Sequence, residues 1–237
     1  MTSLRLSLLG TLALTGCGLI SSDVTNFDLT LKPKSFTLDT SSWQITQQQA
    51  DTFLSTPCQA GSGSGTQQNV CTSAAAQACA MGCTGRCGTS NTCELDLDVG
   101  VYKMVDLGME QPELNTLNNE PIIMVTIDSL QYEVTANTLN IATPPMTLYV
   151  APMSIMDPKD PMSKAVGTVD AVPAMTTVAL RDITYATDGK QQLVTIMGNY
   201  KNPFNVIVGA TLTLKQGDMV PTGKLDAQVD IKAHASL

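Results

Sequence analysis

Six of the seven cysteines of this chain lie within residues 58–93, and this concentration is the strongest constraint on its fold. The segment holds few large apolar side chains, so it cannot bury a sufficient core of its own. Disulfide bonds or a bound metal must therefore hold it in shape. The residues concerned are Cys58, Cys71, Cys79, Cys83, Cys87 and Cys93.

The N-terminal residues have the pattern of a secretory signal. The basic residue Arg5 is followed by an apolar run and then by small residues, as expected of an export signal. Small and polar residues interrupt the run, and it is too short for a transmembrane helix, which needs about 20 apolar residues. The chain is therefore expected to be exported to a compartment where disulfides form.

The run ends in Leu14-Thr15-Gly16-Cys17, which resembles the lipobox of bacterial lipoproteins. The resemblance implies that residues 1–16 are a lipoprotein signal peptide, cleaved before Cys17. It also implies a diacylglyceryl thioether on the Cys17 sulfur and an acylated new N-terminus. Gly18, rather than Asp, follows the cysteine, which by the sorting rule of the family indicates the outer membrane. The alternative is an ordinary signal peptide with Cys17 near its cleavage site by chance.

With Cys17 lipidated, an even number of cysteines remains in an exported chain, which favours three disulfides. Six cysteines allow 15 pairings, and the sequence does not select one. A zinc site is the alternative, although the paired two-residue spacings of zinc ribbons are absent. The spacing of Cys79, Cys83 and Cys87 also differs from that of iron–sulfur proteins. Partial pairing or linkage to a partner stays open.

Composition excludes several classes of partner. The net charge of −8 argues against nucleic acid, which requires clustered Lys and Arg, and against a polybasic contact with a membrane surface. Aromatic residues make up 4% of the chain, which disfavours a surface that stacks sugars. We expect the membrane to be reached through the N-terminal lipid, an envelope protein as partner, and no cofactor.

Alternating patterns predict a mainly β fold, an antiparallel β-sandwich of the immunoglobulin-like kind. The clearest strands are residues 94–101, 146–150, 204–214 and 224–231. We predict a tether over residues 17–23. A single sandwich domain follows over residues 24–237, with a disulfide-rich, partly helical insert at residues 58–93.

Three segments are predicted to be helical: residues 47–54, 72–80 and 189–199. The second is rich in good helix formers and is expected to place Cys79 and Cys83 on one helical face. In the third, Thr187 or Asp188 is expected to act as the cap. A hairpin turn at Asp188-Gly189 is its competitor.

No motif for catalysis is present, and we expect a protein that is not an enzyme. His234 is the only imidazole and is expected in a frayed, exposed tail. Two pairs of carboxylates are expected on a solvated strand face, with calcium binding or acid–base catalysis as the alternatives. One group of methionines is expected to fill the core, with a soft-metal contact as the alternative. They are Asp96 with Asp98, Asp226 with Asp230, and Met153 with Met156 and Met162.

The sequence favours a lipid-anchored cell-envelope lipoprotein that acts as a non-catalytic structural or protein-interaction module. The alternative is a carrier or binder of a small apolar ligand, held in the sandwich or against the helix predicted over residues 189–199. These two functions differ in one structural requirement. A carrier needs a continuous apolar cavity, whereas an interaction module does not.

Replacing Cys17 by Ser tests the anchor. In detergent phase separation, we expect the unmodified protein in the detergent-rich phase and Cys17→Ser in the aqueous phase. The reason is that each buried methylene of the lost acyl chains contributes about 0.8 kcal/mol to the free energy of membrane binding. Ser22→Ala, in the tether, is the matched control and should stay with the membrane. An unchanged distribution of Cys17→Ser would contradict lipidation.

Overall fold

The computed structural model describes residues 26–29, 31–59, 66–79, 82–116 and 124–236. The predicted signal peptide, lipobox and tether lie outside the described residues. The strands are β1 (Asn26–Asp28), β2 (Lys34–Asp39), β3 (Cys83–Cys87), β4 (Cys93–Val105), β5 (Met124–Asn137), β6 (Met146–Pro152), β7 (Lys164–Val169), β8 (Val178–Asp182), β9 (Thr184–Tyr185), β10 (Phe204–Leu214) and β11 (Lys224–Ser236). The helices are α1 (Gln47–Leu54), α2 (Thr66–Ala78), α3 (Leu107–Glu110) and α4 (Gly189–Gly198).

Two antiparallel sheets form the fold, so the predicted mainly β architecture is confirmed. One sheet has the order β1-β11-β5-β8, with β2 beside β1 on the same edge of β11. The other has the order β3-β4-β10-β6-β7-β9. The chain crosses from the first sheet to the second at Ile183, between β8 and β9. This residue is buried, and its N–H donates to the carbonyl of Leu130 in β5.

The main core lies between the two sheets. Alternate residues of β10 and β6 face alternate residues of β5 and β11, as the alternating sequence pattern requires. Each large apolar side chain that is fully buried there contributes about 1.5–3 kcal/mol. Representative members are Phe204, Val206, Leu148, Val150, Tyr132, Val134, Val229 and Ile231.

Helix α4 packs on the end of this core, and its prediction over residues 189–199 is confirmed. Leu193 and Met197 are buried, as expected for positions four apart on one helical face. Asp188 is the N-cap residue but adopts a left-handed conformation with φ of 60°, and its side chain makes no capping hydrogen bond. The carbonyl of Val166 lies where a Cβ at position 189 would stand, so Gly189 lets the helix start directly against β7.

The cysteine-rich insert is a helix laid on a hairpin. Helix α2 crosses β3 so closely that a Cβ on Gly85 would collide with the backbone carbonyl of Cys71. The prediction that Cys79 and Cys83 share a helical face is wrong. The helix ends at Ala78, and the chain turns at Gly82, whose φ is +71°, so that Cys83 begins a strand.

The insert shares a second, smaller core with the six-stranded sheet. Phe53 and Leu54 of α1 pack with Leu95 and Leu97 of β4 and with buried side chains of α2. In the alternating strand predicted over residues 94–101, Leu95, Leu97 and Val99 are buried and Val101 is partly buried. The insert therefore depends on this strand for the burial that its own composition does not provide.

The connection between β6 and β7 folds back over the outer face of the six-stranded sheet. Gly100 and Gly209 are direct partners on β4 and β10, and together they leave a shallow depression. Pro158 occupies it, because a Cβ on Gly209 would lie 2.5 Å from the Pro158 Cβ. Lys159 adds an ion pair to Asp98, with 2.7 Å between Nζ and Oδ2. The loop at residues 157–161 is therefore anchored to the sheet.

Adding one methyl group to either glycine tests this seating. We expect Gly209→Ala to lower the free energy of unfolding by about 1–3 kcal/mol, because the methyl group overpacks the contact with Pro158. Gly100→Ala is the matched control and should cost less, since its Cβ would lie 3.1 Å from the Pro158 Cδ. Urea unfolding measures both. Equal losses, or no loss for Gly209→Ala, would contradict the seating of Pro158.

Candidate functional site

A cleft of about 790 Å³ lies between the C-terminal half of α4 and the adjoining ends of β6, β7 and β10. Ligand sites for small molecules occupy about 300–1,000 Å³, so the cleft has the size of a binding site. We call this cleft, beside the C-terminal half of α4, the α4 cleft. It is larger than a depression of about 510 Å³ that lies beside the N-terminal half of the same helix.

One face of α4 forms a side of the α4 cleft. Gln192, Thr195, Ile196 and Asn199 follow the spacing of a single helical face. The other face of the helix enters the main core. Helix α4 therefore has a core face, with Leu193 and Met197, and a cleft face, and Ile196 touches both the core and the cleft.

The floor of the α4 cleft is apolar. Val150 of β6 and Phe204 of β10 are both buried and belong to the main core as well as to the cleft. Pro152 lies directly opposite Phe204 in the sheet, and Pro203 precedes it. Val150 and Phe204 are already removed from water, so the apolar surface that a ligand could cover lies on the exposed Pro152, Met153 and Met162.

The remaining wall is held in place by one buried amide. Asn205 is 1% exposed, and its Nδ2 donates to the carbonyls of Met153 at 2.9 Å and Ile155 at 2.8 Å. Its Oδ1 is buried without a hydrogen-bond partner among the described residues. Because Met153 lines the α4 cleft, the amide and the seated Pro158 fix the wall before any ligand arrives.

The polar groups of the α4 cleft mostly bond to the protein itself. Thr195 Oγ1 donates to the carbonyl of Gln191 at 2.8 Å, and Asn202 Nδ2 donates to Asn199 Oδ1 at 2.9 Å. Lys164 Nζ donates to the carbonyl of Pro161 at 2.8 Å. Among the described lining residues, Lys164 is the one that carries a charge. The lining thus offers amides, hydroxyls and one ammonium group above an apolar floor.

The predicted methionine group is divided. Met153 and Met162 line the α4 cleft, whereas Met156 lies in the same connection but outside the lining. All three side chains are about half exposed. Thioether side chains adapt their shape to apolar partners, so two of them at a cleft favour ligand contact.

All six cysteines of the insert are paired. Cys58 bonds to Cys87, Cys71 to Cys93 and Cys79 to Cys83, with Cα–Cα distances of 5.8, 5.5 and 6.6 Å. The sulfurs of Cys58, Cys71 and Cys93 lie within 4.8 Å of one another, a convergence that the sequence spacing did not indicate. Zinc requires thiolates, so in this bonded state these sulfurs are not zinc ligands.

The predicted carboxylate pair of β4 is engaged by neighbouring side chains. Asp96 accepts from Thr213 at 2.6 Å and pairs with Arg86 at 2.9 Å. Asp98 accepts from Thr211 at 2.9 Å in addition to its ion pair with Lys159. Both oxygens of each carboxylate therefore have a partner within the protein.

The second carboxylate pair lies on β11. Asp226 accepts a hydrogen bond from Thr37 of β2 at 2.6 Å, whereas Asp230 pairs with Gln131 in the register of β11 and β5. Both residues are half-buried. Asp226 therefore joins two strands of one sheet.

His234 does not lie in a frayed tail, so that prediction is wrong. Strand β11 extends to Ser236, because its last residues pair with both β1 and β5. His234 is exposed on this strand, with 3.0 Å between its Nδ1 and Asp128 Oδ1. It lies outside the lining of the α4 cleft.

Sequence reasoning found α4 but missed the α4 cleft, because the cleft requires two segments distant in sequence, residues 150–164 and 192–204, to meet. One signal was present. Asn205 interrupts the apolar strand Phe204–Leu214, and a polar side chain next to a run of buried residues must find partners. Its partners are the backbone carbonyls that shape the wall of the cleft.

In the part of the chain that the structure describes, no helix is long and apolar enough to cross a membrane. No family model matches the chain. No curated protein matches it either.

Removing disulfides one at a time tests how the insert is stabilised. Cys58→Ala with Cys87→Ala opens a link with a sequence separation of 29, and we expect a loss of about 3.5 kcal/mol. Cys79→Ala with Cys83→Ala opens a separation of 4, and the expected loss is about 2 kcal/mol, because the shorter loop restricts the unfolded chain less. Urea unfolding under oxidising conditions gives both values. A larger loss for the shorter link would contradict this explanation.

Proposed function

We propose that this chain is a lipid-anchored, non-catalytic protein of the bacterial cell envelope that binds a small apolar ligand in the α4 cleft. The observation that carries the proposal is the cleft itself. It combines the volume of a small-molecule site with an apolar floor and a few polar groups, the usual composition of ligand pockets. It also lies against the helix at residues 189–198, one of the two places that the carrier alternative gave for a ligand.

The walls of the α4 cleft favour binding because they are held in place without a ligand. Asn205 bonds the wall from below, and Pro158 seats the same connection on the sheet. A site formed in advance does not have to order its own backbone when the ligand binds. Met153 and Met162 at the entrance retain the adaptability that an apolar ligand of varied shape requires.

The proposed location rests on the N-terminal pattern. The lipobox resemblance ending at Cys17 supports a lipid anchor, and Gly18 supports the outer membrane, on its periplasmic face or at the cell surface. Three disulfides are consistent with an exported protein, since reducing compartments keep thiols free. We propose no nucleic-acid partner, given the net charge of −8.

A structural or protein-interaction module is the second candidate, and the edge of β4 favours it. Among the described residues, β3 pairs with β4 no further than Leu97, so the rest of β4 has β10 as its one neighbouring strand. Tyr102 and Met104 are exposed on this stretch. An unpaired edge with exposed apolar side chains can accept a strand from an envelope protein.

Filling the α4 cleft tests the ligand function. Thr195 is exposed on the cleft face of α4, and Thr195→Trp places a bulky ring in the cleft. We expect this variant to bind an apolar naphthylamine fluorophore about tenfold more weakly, a loss of about 1.4 kcal/mol. Thr177→Trp is the matched control, because Thr177 is also an exposed threonine but lies outside the lining of the α4 cleft and of the smaller depression. It should bind as the unmodified protein does.

The same fluorophore titration separates the two candidates. Equal affinities for Thr195→Trp and the unmodified chain would reject the α4 cleft as the binding site. Met104→Glu addresses the alternative, because a charge at the β4 edge disfavours strand addition. If this variant loses an envelope partner in cross-linking while fluorophore binding is insensitive to Thr195→Trp, the interaction module replaces the ligand binder.

A further inference from the structure

The single charge in the described lining of the α4 cleft is a cation in an acidic protein. Lys164 begins β7 and stands opposite Val150 of the cleft floor in the sheet. The whole chain has a net charge of −8, so a cleft with a positive group and no described carboxylate differs from the average surface. The charge of the cleft therefore favours a ligand with a negative group.

The Lys164 ammonium group has donors left for a ligand. It donates one hydrogen bond to the carbonyl of Pro161, and an ammonium group carries three N–H donors. Lys159, Lys215 and Lys224 each form an ion pair with a carboxylate of the protein. Among the described residues, no carboxylate forms an ion pair with Lys164. Its charge is therefore not balanced within the described fold.

The apolar and charged parts of the α4 cleft are separate. Val150 and Phe204 close the floor from below, and the apolar surface that a ligand could cover lies on Pro152, Met153 and Ile196. Lys164 lies at the exposed margin together with Met162. A ligand that satisfies both parts has an apolar chain that covers the floor and one anionic end that reaches the margin.

The C-terminal end of α4 supports this orientation of the ligand. Asn199, the residue that caps the C-terminal end of α4, lines the α4 cleft. The last carbonyls of a helix carry partial negative charge and disfavour an anion nearby. An anionic end is therefore repelled from the α4 side and attracted to Lys164, which fixes the direction of the bound molecule.

The geometry points to a single-chain anionic amphiphile, such as a long-chain alkyl carboxylate, as the ligand of the α4 cleft, with its carboxylate at Lys164 and its alkyl chain on the floor. This inference rests on the proposed function and adds the chemical class of the ligand. A neutral apolar molecule, a cationic amphiphile and a ligand indifferent to charge are the competing outcomes.

Three matched probes test the inference: dodecanoate, dodecanol and dodecyltrimethylammonium, which share an alkyl chain and differ in charge. They are titrated against the full chain carrying Cys17→Ser, so that no detergent competes for the α4 cleft. We expect dodecanoate to bind roughly three- to fivefold more tightly than dodecanol, in the range of an exposed ion pair. Dodecyltrimethylammonium should bind most weakly.

Substitutions of one lysine identify the group responsible. Lys164→Gln should weaken dodecanoate to the affinity of dodecanol and leave dodecanol unchanged, while Lys164→Arg should retain the preference for the anion. Lys232→Gln is the matched control, because Lys232 is an exposed cation on β11 outside the α4 cleft. It removes the same charge and should have no effect on the preference.

The outcomes separate this inference from the proposed function. If dodecanoate and dodecanol bind equally and both are weakened by Thr195→Trp, the α4 cleft binds apolar ligands but the anionic class is rejected. If Lys232→Gln abolishes the preference as Lys164→Gln does, the effect belongs to net charge and the inference also fails. If no probe is sensitive to Thr195→Trp, both the ligand class and the proposed function are rejected.

Discussion

The first six residues of strand β10 are buried on both faces of the sheet, and much of the molecule depends on this constraint. One face carries Phe204, Val206 and Val208 into the core between the sheets. The other carries Asn205, Ile207 and Gly209, which are also buried. A strand buried on both faces has a nearly continuous apolar sequence, and this segment has one apart from Asn205.

The face of β10 that carries Asn205, Ile207 and Gly209 is buried because the β6–β7 connection lies over it. Pro158 sits on the paired glycines, and the Asn205 amide bonds two carbonyls of the same connection. The connection is therefore held against the sheet at both a packed contact and a polar one. The α4 cleft exists because this wall stands at a fixed distance from α4.

The cysteine-rich insert follows a different principle. It shares a small core with α1 and β4, and three disulfides restrict the unfolded chain where that core is insufficient.

An ion pair between Lys224 of β11 and Asp39 of β2 adds to the pairing of these two strands. Lys224 beside Asp39 holds the pKa of that exposed carboxyl at about 2, so the pair persists from the usual carboxyl range down to that pH and is lost below it.

The parts of the fold that depend on local pattern were predictable from the sequence. Strand β10 and helix α4 match their predicted ranges closely, because a run of apolar residues and a helical spacing carry the information themselves. That Cys79 and Cys83 lie on different elements was not predictable in this way, since helix α2 ends at Ala78 and strand β3 begins at Cys83. His234 belongs to a strand because β1 and β5 pair with it, a tertiary fact that no local pattern contains.

In the candidate site, too, the local part was predictable from the sequence and the tertiary part was not. The cleft face of α4 is visible in the sequence once the helix is assigned, whereas the floor and the far wall come from residues 150–164 and 202–204. The methionines of the β6–β7 connection suggested soft-metal chemistry as an alternative to core filling, but two of them stand at an apolar cleft instead. Residue type alone did not distinguish these roles, because a thioether suits all of them.

Methyl NMR of methionine-labelled protein tests the central claim, that the α4 cleft is the place where a ligand binds. Exposed methionines lie at several separate places on the surface, so their methyl groups report position as well as binding. If the α4 cleft is the site, adding dodecanoate should shift the methyl signals of Met153 and Met162 and leave the exposed Met104, Met109 and Met219 unchanged. Shifts centred on Met104, or signals of Met153 and Met162 that do not move at saturating ligand, would contradict it.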